Sequence, residues 1–190
     1  KSLTAAKWMG ATRVVFHPGS ASKLPRTDAL HSALKLLDSF LKDLDPELLE
    51  NCDLCPETMG KRNQLGNLEE VLELCKIHPR LKPAVDFGHL HALGAGCLNE
   101  EKDFEKVLEK IDRVLGAETV EKLHVHFSPV EYTGAGERKH CTLKEKEYGP
   151  DFYPLARVLK KNSLTPTIIC ESAGTQAEDA ATFKSIYNSV

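Results

Sequence analysis

Five short apolar runs alternate with longer amphipathic segments, and this alternation constrains the fold of the chain more than any other feature. The predicted strands lie within residues 12–20, 51–58, 82–89, 122–129 and 165–172. The predicted helices lie within residues 27–44, 67–78, 99–116, 151–162 and 175–188. Strands that alternate with helices in this way form a parallel sheet covered by helices. We therefore expect a single α/β domain that spans residues 1–190.

Several of the predicted helices carry their own boundary signals. Asn67 is followed three positions later by Glu70, and Thr175 by Glu178, which is the spacing of a capping box. Gly116 stands where a helix would end on a residue in the left-handed conformation. These signals support the predicted helices after the second strand, after the third strand and at the end of the chain.

The composition is that of an ordinary soluble protein, with 41% hydrophobic and 28% charged residues. A net charge of −3 gives no global sign of a nucleic-acid or membrane partner, although a local basic loop is compatible with phosphate binding. No run reaches the ~18 apolar residues of a membrane span, and the start KSLTAAKWMG lacks the apolar core of a signal peptide. Six scattered cysteines favour reduced thiols, so we expect a cytoplasmic protein without a disulfide framework.

Each predicted strand ends in a polar residue that is able to bind a metal ion. These residues are His17, Glu57, Asp86, His126 and Glu171. In a parallel barrel the five side chains converge at the C-terminal mouth, where such barrels have their active sites. Desolvating two imidazoles and three carboxylates without a cation costs on the order of several kcal/mol per ion. The sequence therefore predicts a divalent metal site, and the mixed ligands favour Zn²⁺ or Mn²⁺ over Mg²⁺.

Each of these five residues also has a structural interpretation. A single histidine at a strand end is more often a core or capping residue than a ligand. A single carboxylate there, such as Glu57 or Glu171, is able to cap the helix that follows. Five ligand-type residues at five strand ends require five independent coincidences, so metal binding is the stronger interpretation.

Three other motifs carry weaker signals. The CDLC motif has the spacing of half a zinc knuckle, but no second pair follows, so Cys52 and Cys55 are interpreted as packing residues. His124 lies on the same strand face as His126 and is either a core residue or a partner of a metal ligand. Lys61 and Arg62 directly follow the second strand and form either a solvated surface pair or a contact to a phosphate.

Six segments, taken in order, resemble the signature segments of endonuclease IV (AP endonuclease family 2). They are VVFHPGS, PETMGKRNQLGN, VDFGHLHALGAG, LHVHFSP, GERKHCTLKEKEYGPDF and PTIICES. Endonuclease IV enzymes are metal-dependent apurinic/apyrimidinic endonucleases within the xylose-isomerase-like TIM barrels. The resemblance covers almost the whole chain and implies a (β/α)8 barrel, of which the chain supplies about five C-terminal βα units without the N-terminal strands.

The resemblance implies a cluster of two or three zinc ions, with Mn²⁺ as an alternative. His17 would be a terminal ligand of the first ion, and Glu57 would bridge the first and second ions. Asp86, His126 and Glu171 would complete the second ion, and His89 and His140 would hold the third. The implied reaction is hydrolysis of the phosphodiester 5′ to an abasic site in damaged double-stranded DNA, with water activated by the metal cluster.

The expected catalytic residues are Glu57 and Glu171, and the expected contacts to the substrate phosphates are Lys61 and Arg62. One departure concerns the segment GERKHC, where the family has an aspartate two residues before the histidine that matches His140 and this chain has Arg138.

A guanidinium cannot bind a cation but binds phosphate well. We therefore expect Arg138 to hold the substrate phosphate beside His89 and His140, in a cluster of two metals. The alternatives for the missing carboxylate ligand are Glu137, Glu145 and Glu147.

Two other functions fit the same residues. Sugar isomerases and epimerases of this superfamily hold one divalent ion with two glutamates, one aspartate and one histidine, and they carry a further histidine three residues after the aspartate. This pattern is matched by Glu57, Asp86, His89, His126 and Glu171. In such an enzyme the two glutamates would move a proton beside a carbonyl group. A third possibility is a barrel fragment that binds metal or DNA without turnover.

Overall fold

The computed structural model describes residues 1–190 and contains eight α-helices and seven β-strands. The strands are β1 (Arg13–Phe16), β2 (Asp53–Pro56), β3 (Ala84–Asp86), β4 (His124–Phe127), β5 (Val130–Thr133), β6 (Gly136–His140) and β7 (Thr167–Cys170). The helices are α1 (Ser2–Met9), α2 (Arg26–Asp43), α3 (Leu68–Cys75), α4 (Phe87–Leu93), α5 (Glu101–Leu115), α6 (Ala117–Glu121), α7 (Phe152–Lys161) and α8 (Gln176–Ser189). All five predicted strands and all five predicted helices are confirmed, although the strands are shorter than the apolar runs.

The strands that alternate with helices are parallel. β1 pairs with β2, and β4 lies between β3 and β7. Isolated parallel bridges from Leu54 to Leu81 and from Glu57 to Ala84 connect the two sheets. The order β1-β2-β3-β4-β7 places all five C-terminal strand ends on one side. The α/β class with a parallel sheet is therefore confirmed, but the strands do not close into a barrel.

The main hydrophobic core lies between the sheet and helices α5, α7 and α8. Phe127 stacks edge-on against both Phe152 and Phe183, with ring centroids 5.1 and 5.3 Å apart. Helix α5 contributes Phe104, Leu108 and Ile111, whose spacing places them on one helical face. A smaller cluster packs under α1 and α3 beside β2.

The predicted helix boundaries are only partly right. The Asn67 capping box is confirmed, because the Asn67 and Glu70 side chains each accept the other's backbone N–H. The box at Thr175 is wrong, because the Thr175 hydroxyl donates to Asp179 at 2.8 Å. Gly116 has a positive φ of 86° but an extended ψ of 160°, since helix α6 begins at the next residue.

Two local structures after the strands were not predicted. Helix α4 begins directly after β3, because the Asp86 side chain accepts the backbone N–H of His89 and caps the helix. Strands β5 and β6 form an antiparallel hairpin after β4, and β6 ends at His140. The hairpin therefore returns to the same side as the parallel strand ends. None of the helices is long and apolar enough to cross a bilayer.

Candidate metal centre

The five strand-end residues meet at the C-terminal side of the sheet. His17 Nε2 lies 3.2 Å from Glu57 Oε2, and Glu57 Oε1 lies 2.8 Å from His126 Nδ1. The same His126 nitrogen lies 3.1 Å from Glu171 Oε1. His17 is 61% exposed, whereas Glu57 is 4% exposed. The predicted convergence is confirmed, with Glu57 between an outer and an inner histidine.

Asp86 lies at the centre of the cluster and is completely buried. Its Oδ1 accepts the backbone N–H of His89 at 2.7 Å, but Oδ2 accepts no hydrogen bond from the protein. The Thr58 hydroxyl accepts from the backbone N–H of Asp86 and donates to its carbonyl, which fixes the end of β3 against β2. An unpartnered carboxylate oxygen in a protein interior is costly, so a bound cation would remove a real penalty.

Two groups of side chains have the geometry to hold an ion. The inner group consists of Glu57, Asp86, His126 and Glu171. The outer group consists of Asp86, His89 and His140. Within each group, one ligand atom from every residue lies within 4.8 Å of the others. The carboxylate and imidazole donors and the unpartnered Asp86 oxygen fit a divalent ion.

The inner group already attracts positive charge without a metal. Burial lowers the pKa of His126, but its hydrogen bonds to Glu171 and Glu57 outweigh burial and raise that pKa to about 10. Burial raises the pKa of Glu171, but the His126 imidazolium outweighs it and lowers the pKa to about 2. Burial dominates at Asp86 and raises its pKa. Without a metal ion, the positive charge between Glu57 and Glu171 is therefore supplied by the protonated His126.

His124 supports His126 from below. Their Nε2 atoms lie 3.1 Å apart, and burial together with the charge of His126 lowers the pKa of His124 to about 4. A neutral His124 is able to accept the Nε2–H of His126, which leaves His126 Nδ1 facing Glu57 and Glu171. This contact favours the second of the two interpretations of His124, as a partner of a ligand rather than a core residue alone.

His89 and His140 face each other across the outer group, with their Nε2 atoms 3.2 Å apart. His89 Nδ1 lies 2.8 Å from the carbonyl oxygen of Thr58, and His140 Nδ1 lies 2.7 Å from Ser128 Oγ. Thr58 and Ser128 were missed in the sequence. The only sequence signal for them was proximity to predicted ligands, since Thr58 follows Glu57 and Ser128 lies two residues after His126.

Arg138 does not lie beside His89 and His140. It is the extra residue of a β-bulge, since β6 pairs Lys139 with Glu131 but Glu137 with Tyr132. Arg138 is 68% exposed and pairs with Glu131 at 2.5 Å. The structure therefore does not place the Arg138 side chain against His89 or His140, and its contact to a phosphate stays a prediction.

Of the alternative carboxylates, only Glu137 contacts the cluster. Its Oε2 lies 3.6 Å from His89 Nε2. Glu145 instead pairs with Lys139 at 3.0 Å and accepts the backbone N–H of Thr142, and Glu147 is exposed. Because of the bulge, Glu137 faces the site in place of Arg138, which was expected there.

Lys61 and Arg62 are exposed on the loop that follows Glu57. Arg26 fixes this loop, because its guanidinium donates to the carbonyl oxygens of Arg62 and Gln64 at 2.8 and 2.9 Å. The same guanidinium binds both oxygens of Glu70. The two cationic side chains thus extend from an anchored backbone.

Comparisons with known proteins agree with this architecture. The chain is 34% identical over 175 residues to an uncharacterized protein of Methanocaldococcus jannaschii. The aligned region covers 92% of this chain and 62% of that protein. A probable endonuclease 4 of Aquifex aeolicus is 30% identical over 129 residues, or 65% of this chain and 44% of the relative. A probable endonuclease 4 of Mycoplasma pneumoniae is 29% identical over 148 residues, or 75% and 48%. The chain thus spans about half the length of these curated relatives.

Solved structures share the fold at lower identity. A D-tagatose 3-epimerase-like protein has a TM-score of 0.64 and 21% identity, over 99% of this chain and 65% of the other. A 3-keto-D-glucoside 4-epimerase from E. coli has a TM-score of 0.58 and 16% identity, over 99% and 68%. The family described as xylose isomerase-like TIM barrel matches residues 1–186. The resemblance to endonuclease IV found in the sequence is thus confirmed, and the chain belongs to the xylose isomerase-like TIM-barrel family.

Proposed function

We propose that the full-length protein is a metal-dependent apurinic/apyrimidinic endonuclease that hydrolyses the phosphodiester 5′ to an abasic site in double-stranded DNA. The observation that carries the proposal is the buried carboxylate of Asp86, which is shared by both ligand groups and keeps one oxygen without a protein donor. The named endonuclease 4 relatives support the hydrolytic reaction over other chemistries. Because the chain covers about half of those relatives, the activity is proposed for the full-length protein.

The inner group would hold one zinc ion and the outer group a second, with Mn²⁺ as an alternative. His17 and Glu57 offer a third position, but only two side chains of this chain line it. Glu57 suits a bridging role, because one oxygen faces His17 and the other faces His126. When bound, such ions polarise phosphoryl oxygens and supply an activated water.

The remaining roles belong to side chains of the protein. Glu57 and Glu171 approach the same nitrogen of His126 at 2.8 and 3.1 Å. The two carboxylates and this imidazole would hold an ion next to the reacting phosphate. Lys61 and Arg62 neutralise the phosphates of the bound strand. Phosphate contacts position nucleic acid without reading its sequence, as expected for a lesion that carries no base.

The proposal is tested with a duplex that contains one abasic site. The full-length protein should cut the strand 5′ to the lesion, lose activity in chelator and regain it with Zn²⁺ or Mn²⁺. Glu171→Gln should abolish cutting, because it removes a charged ligand. Glu178→Gln, the same change at an exposed position of α8, is the control and should retain activity. Failure of the metal-loaded wild type to cut any abasic duplex would refute the proposal.

The second candidate is a divalent-metal-dependent sugar isomerase or epimerase. It is favoured by the placement of Glu57 and Glu171 around one histidine, since two opposed carboxylates suit proton removal and return. Such an enzyme would exchange a carbon-bound proton of a ketose for solvent deuterium. Deuterium exchange into a ketose, together with an intact abasic duplex, would decide for this alternative.

We also propose that residues 1–190 form part of one (β/α)8 barrel domain. Strands β1 and β7 each have one unpaired edge, and unpaired parallel edges are normally covered. At the opposite end, Arg13 of β1 donates to the Thr167 hydroxyl of β7 at 2.8 Å, so the sheet already curves. Additional strands in the full-length protein would complete this curvature.

A further inference from the structure

Glu137 lies against the outer group without a role in the function proposed above. Its side chain is 10% exposed, and its carboxylate accepts no hydrogen bond from the protein. Nε2 of His89 lies 3.6 Å from Glu137 Oε2. A positive partner stabilises a carboxylate that is held in a largely buried place.

The β-bulge at Arg138 explains how Glu137 reaches this place. On a regular strand, Glu137 and His140 would point to opposite faces, because they are separated by three positions. The extra residue shifts the pairing between Tyr132 and Glu131, so that Glu137 and His140 both contact His89. Bulges of this kind re-aim side chains next to active sites.

Gly60 provides the space for this arrangement. The Glu137 backbone N–H donates to the Gly60 carbonyl at 2.9 Å. A Cβ at Gly60 would lie 2.5 Å from the Glu137 Cβ and 3.1 Å from His89 Cδ2. Any larger residue would therefore push the hairpin away from His89. The loop after Glu57 and the hairpin are thus fitted together at the point where Glu137 enters the cluster.

The tautomer of His89 directs a lone pair to the same place. A carbonyl oxygen only accepts hydrogen bonds, so His89 Nδ1 must carry the proton that it donates to the Thr58 carbonyl oxygen. In neutral His89 the Nε2 lone pair then faces His140 and Glu137. Asp86 and Glu137 together supply two negative charges, which match one divalent cation held by two neutral imidazoles.

We infer that Glu137 is the second carboxylate ligand of the ion held by Asp86, His89 and His140, and that the Arg138 bulge exists to present it. This inference rests on the metal centre of the proposed function. It assigns the ligand role to Glu137, and Arg138 remains an exposed partner of Glu131. With Glu137 the outer group would offer two imidazoles and two carboxylates, which are donor types that zinc binds.

The test is calorimetric titration of the chelator-treated full-length protein with Zn²⁺ alone. Wild type should bind at least two ions in distinguishable steps. Glu137→Gln should weaken one step roughly 10- to 100-fold or remove it, and should leave the other step unchanged. Glu137→Asp retains the charge and should recover part of the lost affinity. Thermal unfolding in chelator checks that each variant is folded.

Two controls separate this inference from the proposed function. Glu147→Gln makes the same chemical change at an exposed position, and Arg138→Ala removes the neighbour that faces solvent. Both should bind zinc as wild type does. If Glu137→Gln and Glu137→Asp also bind both ions as wild type does, the inference is wrong while the metal centre stands. If wild type itself binds no zinc, the proposed function fails as well.

Discussion

Asp86 Oδ1 accepts the backbone N–H of His89 at 2.7 Å, whereas Asp86 Oδ2 has no protein donor. One oxygen thus caps a helix, and the other belongs to the candidate metal centre. Asp86→Asn should preserve the cap but remove the charged ligand shared by both groups. We expect zinc content to fall for both positions.

The same substitution should change stability in the opposite direction. A buried carboxylate without a donor destabilises the metal-free fold, so Asp86→Asn should raise the free energy of unfolding in chelator by on the order of 1 kcal/mol or more. Urea unfolding with and without zinc measures both effects. Asp112→Asn, on the exposed face of α5, should change neither quantity. A variant that is less stable in chelator would show that Asp86 is not strained by its burial.

The pH dependence of stability should follow His126 and reverse when metal binds. Its pKa is raised from 6.5 to about 10 in the metal-free protein, chiefly by Glu171 and Glu57 working against burial. A pKa raised on folding stabilises the fold below the unfolded value and loses that effect as pH rises through the folded value. Metal-free protein should therefore lose stability between pH 6.5 and about 10.

Metal binding requires neutral His126, so zinc should stabilise the protein more at the upper end of this pH window than at the lower end. Denaturant unfolding across the window, in chelator and in zinc, measures both slopes. His126→Asn should flatten the metal-free slope. A metal-free wild type whose stability stays as flat across the window as that of the variant would contradict the charge assigned to His126.

The parallel strands and their polar ends were predictable because both follow from short-range patterns. An apolar run that stops at Asp86 or His126 marks the end of a buried strand, and all parallel strands end on the same side. The convergence of Glu57, His126 and Glu171 needed no further information than strand direction.

The arrangement of the hairpin was not predictable in the same way. Strict alternation along GERKH does not place Glu137 and His140 on one face, and the bulge at Arg138 depends on pairing with β5 and close contact with Gly60. Thr58 and Ser128 are likewise defined by three-dimensional contacts to His89 and His140. Contacts between distant segments leave no periodic signal in the sequence.

Arg26 should influence substrate binding although it lies outside the ligand groups. It anchors the loop that carries Lys61 and Arg62. Arg26→Ala should raise the KM for abasic DNA roughly tenfold with a smaller change in kcat. Misplaced Lys61 and Arg62 side chains would weaken substrate binding more than they would slow the chemical step. Amide exchange at Arg62 and Gln64 should speed up in parallel.

Arg157→Ala removes an exposed pair with Glu101 and serves as the control, with KM and exchange unchanged. Faster exchange at Arg62 with an unaltered KM would mean that the loop does not contact substrate.

The central claim is that the strand-end residues hold divalent ions, and anomalous diffraction at the zinc edge tests it most directly. Crystals of the zinc-loaded full-length protein should contain one peak among Glu57, Asp86, His126 and Glu171, with ligand distances of about 2.0–2.2 Å. A second peak should lie among Asp86, His89 and His140. The absence of any peak at these side chains would contradict the account.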